Sequence, residues 1–341
     1  MSCLRRFPDR TPLIALTMLA GASSCASFAG AVERDLRIGI IGLDTSHVIA
    51  FTKLLNDPAA KDHVAGGRVV AAYKGGSPDV EQSASRVNGF TRELVTTHGV
   101  KIYDSIEELA RNVDAIMIES VDGRTHLEQA RRVFPFGKPV FIDKPLAASL
   151  RDGIEIFRLA GEHGCPVFSS SSLRFSTGMD ELRQADIGRR RGAFSLGPAT
   201  LEPHHPDLFW YGIHAVEALY TMMGPGCGQV TRAHTADTDV VTGIWGDGRI
   251  ATMRGERGAG GQYALLVFGS KGIAQYKHVS GYAPMVRAVM TFFHTGIPPV
   301  APAETIEILA FMEAANESKR RGGRPVSLTE TIIANGGSIE K

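Results

Sequence analysis

No stretch of this 341-residue sequence contains the roughly 18 consecutive apolar residues that a membrane-spanning helix needs. Charge of either sign is not in excess, because 37 basic and 36 acidic residues leave a formal net charge of +1. Nothing in this balance favours binding to nucleic acid or to an acidic membrane surface. With 43% hydrophobic residues and no internal repeat, the chain is of the globular class, and its length suits two domains.

Cysteine is also scarce. The sequence has four cysteines, and only Cys165 and Cys227 lie beyond residue 31. Two cysteines do not make the disulfide framework that stabilises small secreted domains. The sequence leaves open whether these two thiols are paired or are separate and buried.

The first 31 residues have the composition of an export signal. Three arginines precede the apolar stretch LIALTMLAGA, and small residues follow it up to Ala29-Gly30-Ala31. A basic region, a short apolar core and an A-x-A site are typical of a cleaved signal peptide. We therefore expect an exported protein, periplasmic or secreted. Arg5-Arg6-Phe7 resembles a twin-arginine signal, and simple cleavage is favoured over lipid attachment at Cys25.

From residue 36 to residue 175, segments typical of strands alternate with segments typical of helices. LRIGIIGL, GRVVAAY, DAIMIES and KPVFID are apolar runs, and amphipathic stretches separate them. Ser105 with Glu108 forms a capping-box pattern, and Ser149 precedes another helical stretch. This alternation predicts an α/β fold with a doubly wound parallel sheet, a Rossmann dinucleotide-binding domain.

The pattern changes after residue 176. One long apolar helix is predicted over LFWYGIHAVEALYTMMG, and β-like segments follow it, among them QVTRAHTA, DVVTGIW, RIATMRGE and QYALLVFGS. Turn signals such as Gly246-Asp247-Gly248 separate these segments. Residues 176–335 are therefore predicted to form an α+β substrate and oligomerisation domain with an open, mostly antiparallel sheet. A helix over about 303–321 is expected to pack back on the first domain.

The turn after the first strand, GIIGLDTSHV, has the layout of a dinucleotide-binding βα turn but only one of its three glycines. Gly42 is in place, whereas Asp44 and His47 occupy the second and third glycine positions. A carboxylate in this position would repel the phosphates of a dinucleotide unless its side chain points away from them. We expect Asp44 to point away because it caps the helix. Thr45 and Ser46 would then present donors to a phosphate at the helix N-terminus.

The order of these features resembles the Gfo/Idh/MocA oxidoreductases, the family of glucose–fructose oxidoreductase and inositol 2-dehydrogenase. FIDKPLAAS resembles the family's E-K-P strand end, with Asp143 in place of the glutamate, and HAVE lies in the helix that follows. The resemblance covers about residues 36–335. It implies NAD(P) as cofactor, a sugar or polyol hydroxyl as substrate, and a nicotinamide over the strand that carries Lys144.

Two residues are predicted to be catalytic. Lys144 would exchange the hydroxyl proton at the carboxyl end of a central strand, and His214 matches the histidine of the family's D-x-x-x-H motif. Trp210 replaces the aspartate of that motif and would offer a stacking surface to a sugar. The predicted substrate contacts are Arg174, Trp210, Tyr211, His214 and Glu217. The predicted cofactor contacts are Gly42, Asp44, Thr45, Ser46, His47, Lys74, His126, Asp143 and Lys144.

The choice of dinucleotide and the presence of a metal are weighed on other residues. Lys74 precedes a Gly-Gly-Ser loop, at the place where an acidic residue would bind the ribose hydroxyls of NAD. A lysine here would suit the 2′-phosphate of NADP, or it is a solvated lysine in an ordinary turn. His204 and His205 are adjacent, so on a strand they point to opposite faces and would not ligate one metal together. No metal is predicted.

The predicted function is therefore an NAD(P)-dependent oxidoreductase acting on a sugar, polyol or glycoside, with a tightly held cofactor. Two alternatives remain open: a glycoside-cleaving hydrolase or lyase that oxidises the sugar transiently, and a non-catalytic sugar-binding protein with a degenerate nucleotide site. The resemblance also implies a homo-oligomer, a dimer or tetramer joined through the open face of the second sheet.

Overall fold

The computed structural model describes residues 34–258, 262–277 and 281–338, which belong to one compact unit. The predicted export signal, with Cys25, lies outside these ranges. Within them, no helix is both long and apolar enough to cross a membrane. Cys165 and Cys227 are both buried and are not bonded to each other.

A parallel sheet forms the first half of the structure. Its strands are β1 (Leu36–Ile41), β2 (Gly67–Tyr73), β3 (Lys101–Ile102), β4 (Ala115–Ile118), β5 (Val140–Asp143) and β6 (Val167–Ser170). They lie in the order β3-β2-β1-β4-β5-β6 with all neighbours parallel, which confirms the predicted Rossmann sheet. β4 and β5 are buried along their whole length because helices cover both faces.

Helices alternate with these strands, and two of them begin at the capping residues that the sequence indicated. The helices are α1 (Ser46–Asn56), α2 (Glu81–Ala84), α3 (Val87–His98), α4 (Ile106–Arg111), α5 (His126–Val133) and α6 (Leu150–Glu162). The Ser105 hydroxyl accepts a hydrogen bond from the Glu108 N–H, and Ser149 caps α6 in the same way. Thr45, and not Asp44, caps α1: its Oγ1 accepts the His47 N–H at 3.1 Å.

The second half contains a seven-stranded mixed sheet. Its strands are β7 (Arg190–Pro198), β8 (Cys227–His234), β9 (Thr238–Trp245), β10 (Ile250–Glu256), β11 (Ala264–Gly269), β12 (Ile273–Gln275) and β13 (Val326–Ser327). Their order is β12-β11-β7-β10-β9-β8-β13, and only the β7–β10 pair is parallel, so the predicted open, mostly antiparallel sheet is confirmed. The central strand β7 has no counterpart in the sequence-based prediction.

The remaining helices join the two sheets. They are α7 (Thr177–Gln184), α8 (Asp207–Trp210), α9 (Ile213–Met223), α10 (Ala283–Thr295), α11 (Pro302–Arg320) and α12 (Leu328–Ala334). α11 packs against both α6 and β8. α10, which was not predicted, covers the first sheet: its Phe292 ring lies 4.9 Å from that of Phe168 in β6.

The single helix predicted over residues 208–224 is wrong. The chain leaves helical geometry at Tyr211, so α8 and α9 are separate. Gly212 lies at this break, where a Cβ atom would stand only 2.9 Å from the Leu208 carbonyl oxygen. The break matters because Trp210 and His214, one turn apart in a continuous helix, come from two different helices.

Candidate active site

A cavity of about 340 Å³ lies where the carboxyl ends of β1, β4 and β5 approach α8 and α9. This is the edge at which open α/β sheets bind ligands. Half of the predicted site residues line it. They are Thr45, Ser46, His47, Lys144, Trp210, Tyr211 and His214.

Gly42 ends β1 beneath this cavity, in a conformation that only glycine adopts readily. Its φ is +85°, and a Cβ atom there would lie 2.1 Å from the Ser120 Oγ and 2.6 Å from the Ser120 backbone nitrogen. The β1 turn therefore packs directly on the loop that follows β4. The Gly42 N–H donates to the Tyr73 carbonyl oxygen at 3.0 Å, which joins the turn to β2.

Asp44 is fully buried and faces away from the cavity. Its Oδ1 accepts the Val121 N–H at 2.9 Å, and its Oδ2 accepts the Ser83 hydroxyl at 2.6 Å. Burial raises the pKa of the carboxyl, although both hydrogen bonds favour its charged form. Asp44 does turn away as expected, but it does so by contacting α2 and the loop after β4, and not by capping α1. In this position the carboxylate does not line the cavity, where a contact with the cofactor was predicted.

His47 connects the cavity wall to two buried acids. Its Nδ1 lies 2.8 Å from the Asp143 Oδ2 and 3.9 Å from the Glu119 Oε2. The imidazole also stacks on Phe51 and meets the edge of Tyr282, with ring centroids 5.1 and 4.8 Å away. Burial disfavours charge on Asp143, but the interactions with His47 and Lys144 together outweigh it and lower the pKa of this carboxyl to about 2. Burial, with Asp143 nearby, raises the pKa of Glu119 well above its usual value.

Lys144 follows directly after β5 and enters the cavity. Its Nζ lies 5.8 Å from the centroid of the Tyr211 ring, within the range of a cation–π contact. Trp210, on the same wall, packs against Val80 and Val121 from the loops after β2 and β4. The lysine therefore lies on an aromatic surface that the second half of the chain contributes.

His214, near the start of α9, also lines the cavity, and its imidazole is neutral. Burial lowers its pKa well below the usual value, and the positive charge of Lys144 lowers it further. Its Nδ1 lies 2.8 Å from the Ser171 hydroxyl, and its ring meets those of Tyr211 and Tyr263 edge-on. An uncharged imidazole next to a lysine is able to accept a proton at neutral pH.

Arg174 and Glu217, predicted to contact substrate, lie behind this wall and do not line the cavity. The Arg174 Nε donates to the Glu217 Oε1 at 2.8 Å, and the guanidinium also pairs with Glu304. Glu217 in turn accepts the Ser171 N–H at 2.7 Å. This buried ion pair fixes Ser171, whose hydroxyl contacts His214.

Lys74 and His126 are also outside the cavity lining. The Lys74 side chain is exposed, and only its carbonyl oxygen holds the β1 turn, by accepting the Leu43 N–H. The buried His126 ring bridges two loops, with Nε2 2.8 Å from the Ser120 carbonyl oxygen and Nδ1 3.0 Å from that of Pro145. Lys74 and His126, both predicted to contact the cofactor, therefore do not line the cavity that Lys144 enters.

Other cavity residues were missed by the sequence analysis. They are Gln82, Arg86, Val121, Ser172, Leu173, Ser176, Tyr263, Gly281 and Tyr282. Among the described residues that line the cavity, the lysine and arginine side chains are those of Lys144 and Arg86, and no lining residue is an aspartate or a glutamate. The wall is therefore positively charged, and no local motif marked Arg86 because it lies in an ordinary polar helical stretch.

His204 and His205 lie in a turn and not on a strand, and their side chains have different surroundings. His204 is exposed and lies 3.0 Å from Glu202, whereas His205 is buried against the Trp210 ring. Within residues 34–258, 262–277 and 281–338, the group with metal-ligand geometry is a different one: His47, Glu119 and Asp143. The sequence did not indicate it, because Glu119 ends a strand of otherwise apolar residues.

Comparison with known proteins agrees with this architecture. Residues 36–171 match the Gfo/Idh/MocA family, described as an oxidoreductase family with an NAD-binding Rossmann fold. No curated protein matches the chain in sequence. The structure is similar to myo-inositol 2-dehydrogenase from Lactobacillus plantarum (TM-score 0.71, 20% identity, 86% of this chain and 99% of that chain).

It is equally similar to scyllo-inositol dehydrogenase from Lactobacillus casei, crystallised with NAD(H) and scyllo-inositol (TM-score 0.71, 16% identity, 86% of this chain and 99% of that chain). At these identities the likeness shows the fold. The family match goes further for the first half of the chain. The match to this NAD-binding oxidoreductase family covers residues 36–171, the part of the chain that holds the parallel sheet, and it supports NAD-dependent oxidoreductase activity.

The residues of the cavity fit that cofactor. Thr45 and Ser46 form the N-terminal turn of the 11-residue helix α1, whose positive end attracts phosphate. Arg86 and Lys144 add positive charge to the same wall, while the Asp44 carboxylate is turned away and already accepts two hydrogen bonds. The altered glycine turn therefore keeps donors and positive charge where a pyrophosphate needs them.

Proposed function

We propose that this enzyme uses NAD to interconvert a hydroxyl and a carbonyl group on a sugar, polyol or glycoside. One observation carries the proposal: Lys144 and His214 line the same cavity as the N-terminal turn of α1. A proton-transferring pair and an anion-binding helix end in one cavity are what a nicotinamide-dependent dehydrogenase requires. NAD supplies the hydride acceptor.

Lys144 and His214 divide the proton chemistry between them. The imidazole of His214, which burial holds in its neutral form, accepts the hydroxyl proton of the substrate. The Lys144 ammonium stabilises the developing negative charge on that oxygen. Ser171 holds the imidazole from behind, and the Arg174–Glu217 ion pair holds Ser171. In the reverse direction the same groups return the proton.

The substrate class follows from the walls. Trp210, Tyr211 and Tyr263 provide aromatic surface, and the C–H faces of sugar rings pack on such surfaces. Ser172 and Ser176 add hydroxyl groups able to bond to those of a polyol. The inositol dehydrogenases of similar fold support this class, and the scyllo-inositol bound in one of them is a cyclic polyol.

The first experiment asks which dinucleotide the purified protein carries. The protein is denatured, and the supernatant is examined by mass spectrometry for NAD(H) and NADP(H). We expect NAD in near one-to-one amount, because an exported enzyme would need to keep its cofactor. A protein that is purified empty and fails to bind added NAD in calorimetry contradicts the proposal.

The second experiment measures turnover with a panel of inositols, aldoses and glycosides. Absorbance of NADH, or its loss with the corresponding ketone, reports hydride transfer. Release of a chromogenic aglycone without net NADH would instead favour the glycoside-cleaving alternative. Binding of NAD with no reaction on any polyol or sugar contradicts the proposed substrate class but leaves the cofactor assignment intact.

A further inference from the structure

A buried cluster of three potential metal ligands lies directly behind the His47 side of the cavity. The His47 Nδ1, a carboxylate oxygen of Glu119 and one of Asp143 all lie within 4.8 Å of one another. They come from three separate elements: the start of α1, the end of β4 and the end of β5. Only His47 reaches the cavity wall.

Within the described part of the chain, three of the four carboxylate oxygens in this cluster lack the partners that buried carboxylates need, and the fourth, Asp143 Oδ2, lies 2.8 Å from the His47 Nδ1. Among the described residues, neither oxygen of Glu119 has a hydrogen-bond partner, and Asp143 Oδ1 has none either. Glu119 is fully buried, and Asp143 is nearly so. A carboxylate removed from water without partners is costly, so such groups in folded proteins are paired or coordinate a metal.

The positive charge nearby does not satisfy these oxygens. The charge of Lys144 acts on both acids, but its ammonium lies over the Tyr211 ring, in the cavity, and does not bond to the unpartnered oxygens. Asp44, the other acid close to the cluster, is already bonded to Ser83 and Val121 and offers no compensation. The space between Glu119, Asp143 and His47 thus carries an excess of acceptor atoms.

We propose that His47, Glu119 and Asp143 bind one divalent transition-metal ion, of the Mn²⁺ to Zn²⁺ series. One imidazole nitrogen and two carboxylate oxygens suit these ions, whereas Mg²⁺ and Ca²⁺ take oxygen ligands. Ligands at about 2.0–2.2 Å from an ion stand roughly 3–4 Å apart. The His47 Nδ1 lies 2.8 Å from the Asp143 Oδ2 and 3.9 Å from the Glu119 Oε2, which is close to this spacing. Two carboxylates balance the charge of the ion.

The sequence places this cluster at positions that depart from the dinucleotide fingerprint. His47 stands where the third glycine is expected, and Asp143 stands where the related strand end has a longer glutamate. A histidine in place of a glycine adds bulk at the start of α1, which an ion-binding role explains. The ion would join α1, β4 and β5 at the floor of the cavity.

The test measures metal binding by the purified protein without reference to turnover. The protein is treated with EDTA, dialysed, and titrated with Mn²⁺ and Zn²⁺ by calorimetry, and the retained metal is counted by mass spectrometry. We expect one ion per chain. Glu119→Gln and His47→Gln should each weaken binding by at least about tenfold.

Glu202→Gln serves as the matched control, because Glu202 pairs with a histidine on the exposed surface outside the cluster. This variant should bind one ion as tightly as the parent. Failure of the parent to bind either ion overturns the proposal, whether or not the variants fold, and leaves Glu119 as a protonated acid. Equal affinity in a folded Glu119→Gln variant overturns it as well. NAD binding, measured separately, distinguishes this failure from that of the proposed function.

Discussion

The Asp44 carboxylate accepts a hydrogen bond from the Ser83 hydroxyl at 2.6 Å, which joins the turn after β1 to the helix α2. With the Val121 N–H as a second donor, Asp44 also links this turn to the loop after β4. A glycine in this position, which the fingerprint favours, leaves the backbone open to the pyrophosphate. In this protein Asp44 instead bonds to α2 and to the loop after β4.

Replacing Asp44 should therefore affect stability more than the local sequence suggests. Asp44→Gly leaves the Ser83 hydroxyl and Val121 N–H buried without an acceptor, and we expect a loss of about 2–4 kcal/mol in the free energy of unfolding. Urea denaturation measures it. Asp79→Asn, at an exposed ion pair with Arg124, should cost less than about 1 kcal/mol. Equal losses in the two variants would contradict the linking role of Asp44.

Gly42→Ala should be more harmful than alanine at another glycine of the same backbone conformation. Gly42 and Gly99 both have positive φ, +85° and +66°, but a Cβ at Gly99 meets nothing within 4 Å. Gly99→Ala should therefore cost only the strain of the conformation, about 1 kcal/mol. Gly42→Ala adds a clash with the Ser120 backbone and should destabilise the protein by several times as much. Thermal unfolding of the two variants compares them, and similar melting temperatures would disprove the close packing.

Lys144→Ala should abolish turnover without releasing the cofactor. Loss of the ammonium removes the stabilisation of the substrate oxygen, and we expect kcat to fall by about 100-fold or more. The amount of NAD bound after purification should stay within about twofold, because the helix N-terminus and Arg86 remain. Lys61→Ala, an exposed lysine far from the cavity lining, is the control for the loss of one positive charge. Unchanged kcat in Lys144→Ala would remove this residue from the mechanism.

Acid should destabilise the protein through His205. Burial lowers the pKa of this imidazole to about 4 from 6.5, although Asp122 nearby opposes the shift. The folded protein therefore binds this proton less readily than the unfolded chain, so its stability is complete above about pH 6.5 and falls as the pH drops toward 4. At about pH 5 the loss from this residue is roughly 2 kcal/mol. His205→Leu should reduce the slope of unfolding free energy against pH in that window, and an unchanged slope would contradict it.

The open face of the second sheet is expected to join two copies of the chain. Ile250 pairs with Ile244 and Phe268 with Ile273 across neighbouring strands, and all four are exposed, Ile273 to 64% and Ile250 to 53%. Exposed apolar pairs of this kind mark protein interfaces. Light scattering after size exclusion should show a dimer or tetramer. Ile273→Lys should shift it toward the monomer, whereas Ile297→Lys, outside the sheet, should not; a monomeric parent would refute the interface.

Much of the fold was predictable because its signals are local. The alternation of apolar runs with amphipathic stretches gives the parallel sheet, and Ser105 and Ser149 cap the helices that they were expected to cap. β7 was missed because its strand, RRGAFSLGP, carries charges and glycines that local propensity disfavours. It forms only because β10 and β11 pair with it on both sides.

The candidate site also has parts that local sequence signals predict and parts that they do not. The sequence by itself determined the strand end that carries Lys144 and the helix start that carries Thr45 and Ser46, because apolar runs and capping residues are local signals. The break that separates Trp210 from His214 was not among these signals. Only the tertiary structure decided which of the polar residues enter the cavity. It turned Asp44 toward Ser83 and Arg174 toward Glu217, and it brought Glu119 beside His47 and Asp143. Those choices depend on which buried groups find a partner from a distant segment, and no local pattern records such pairings.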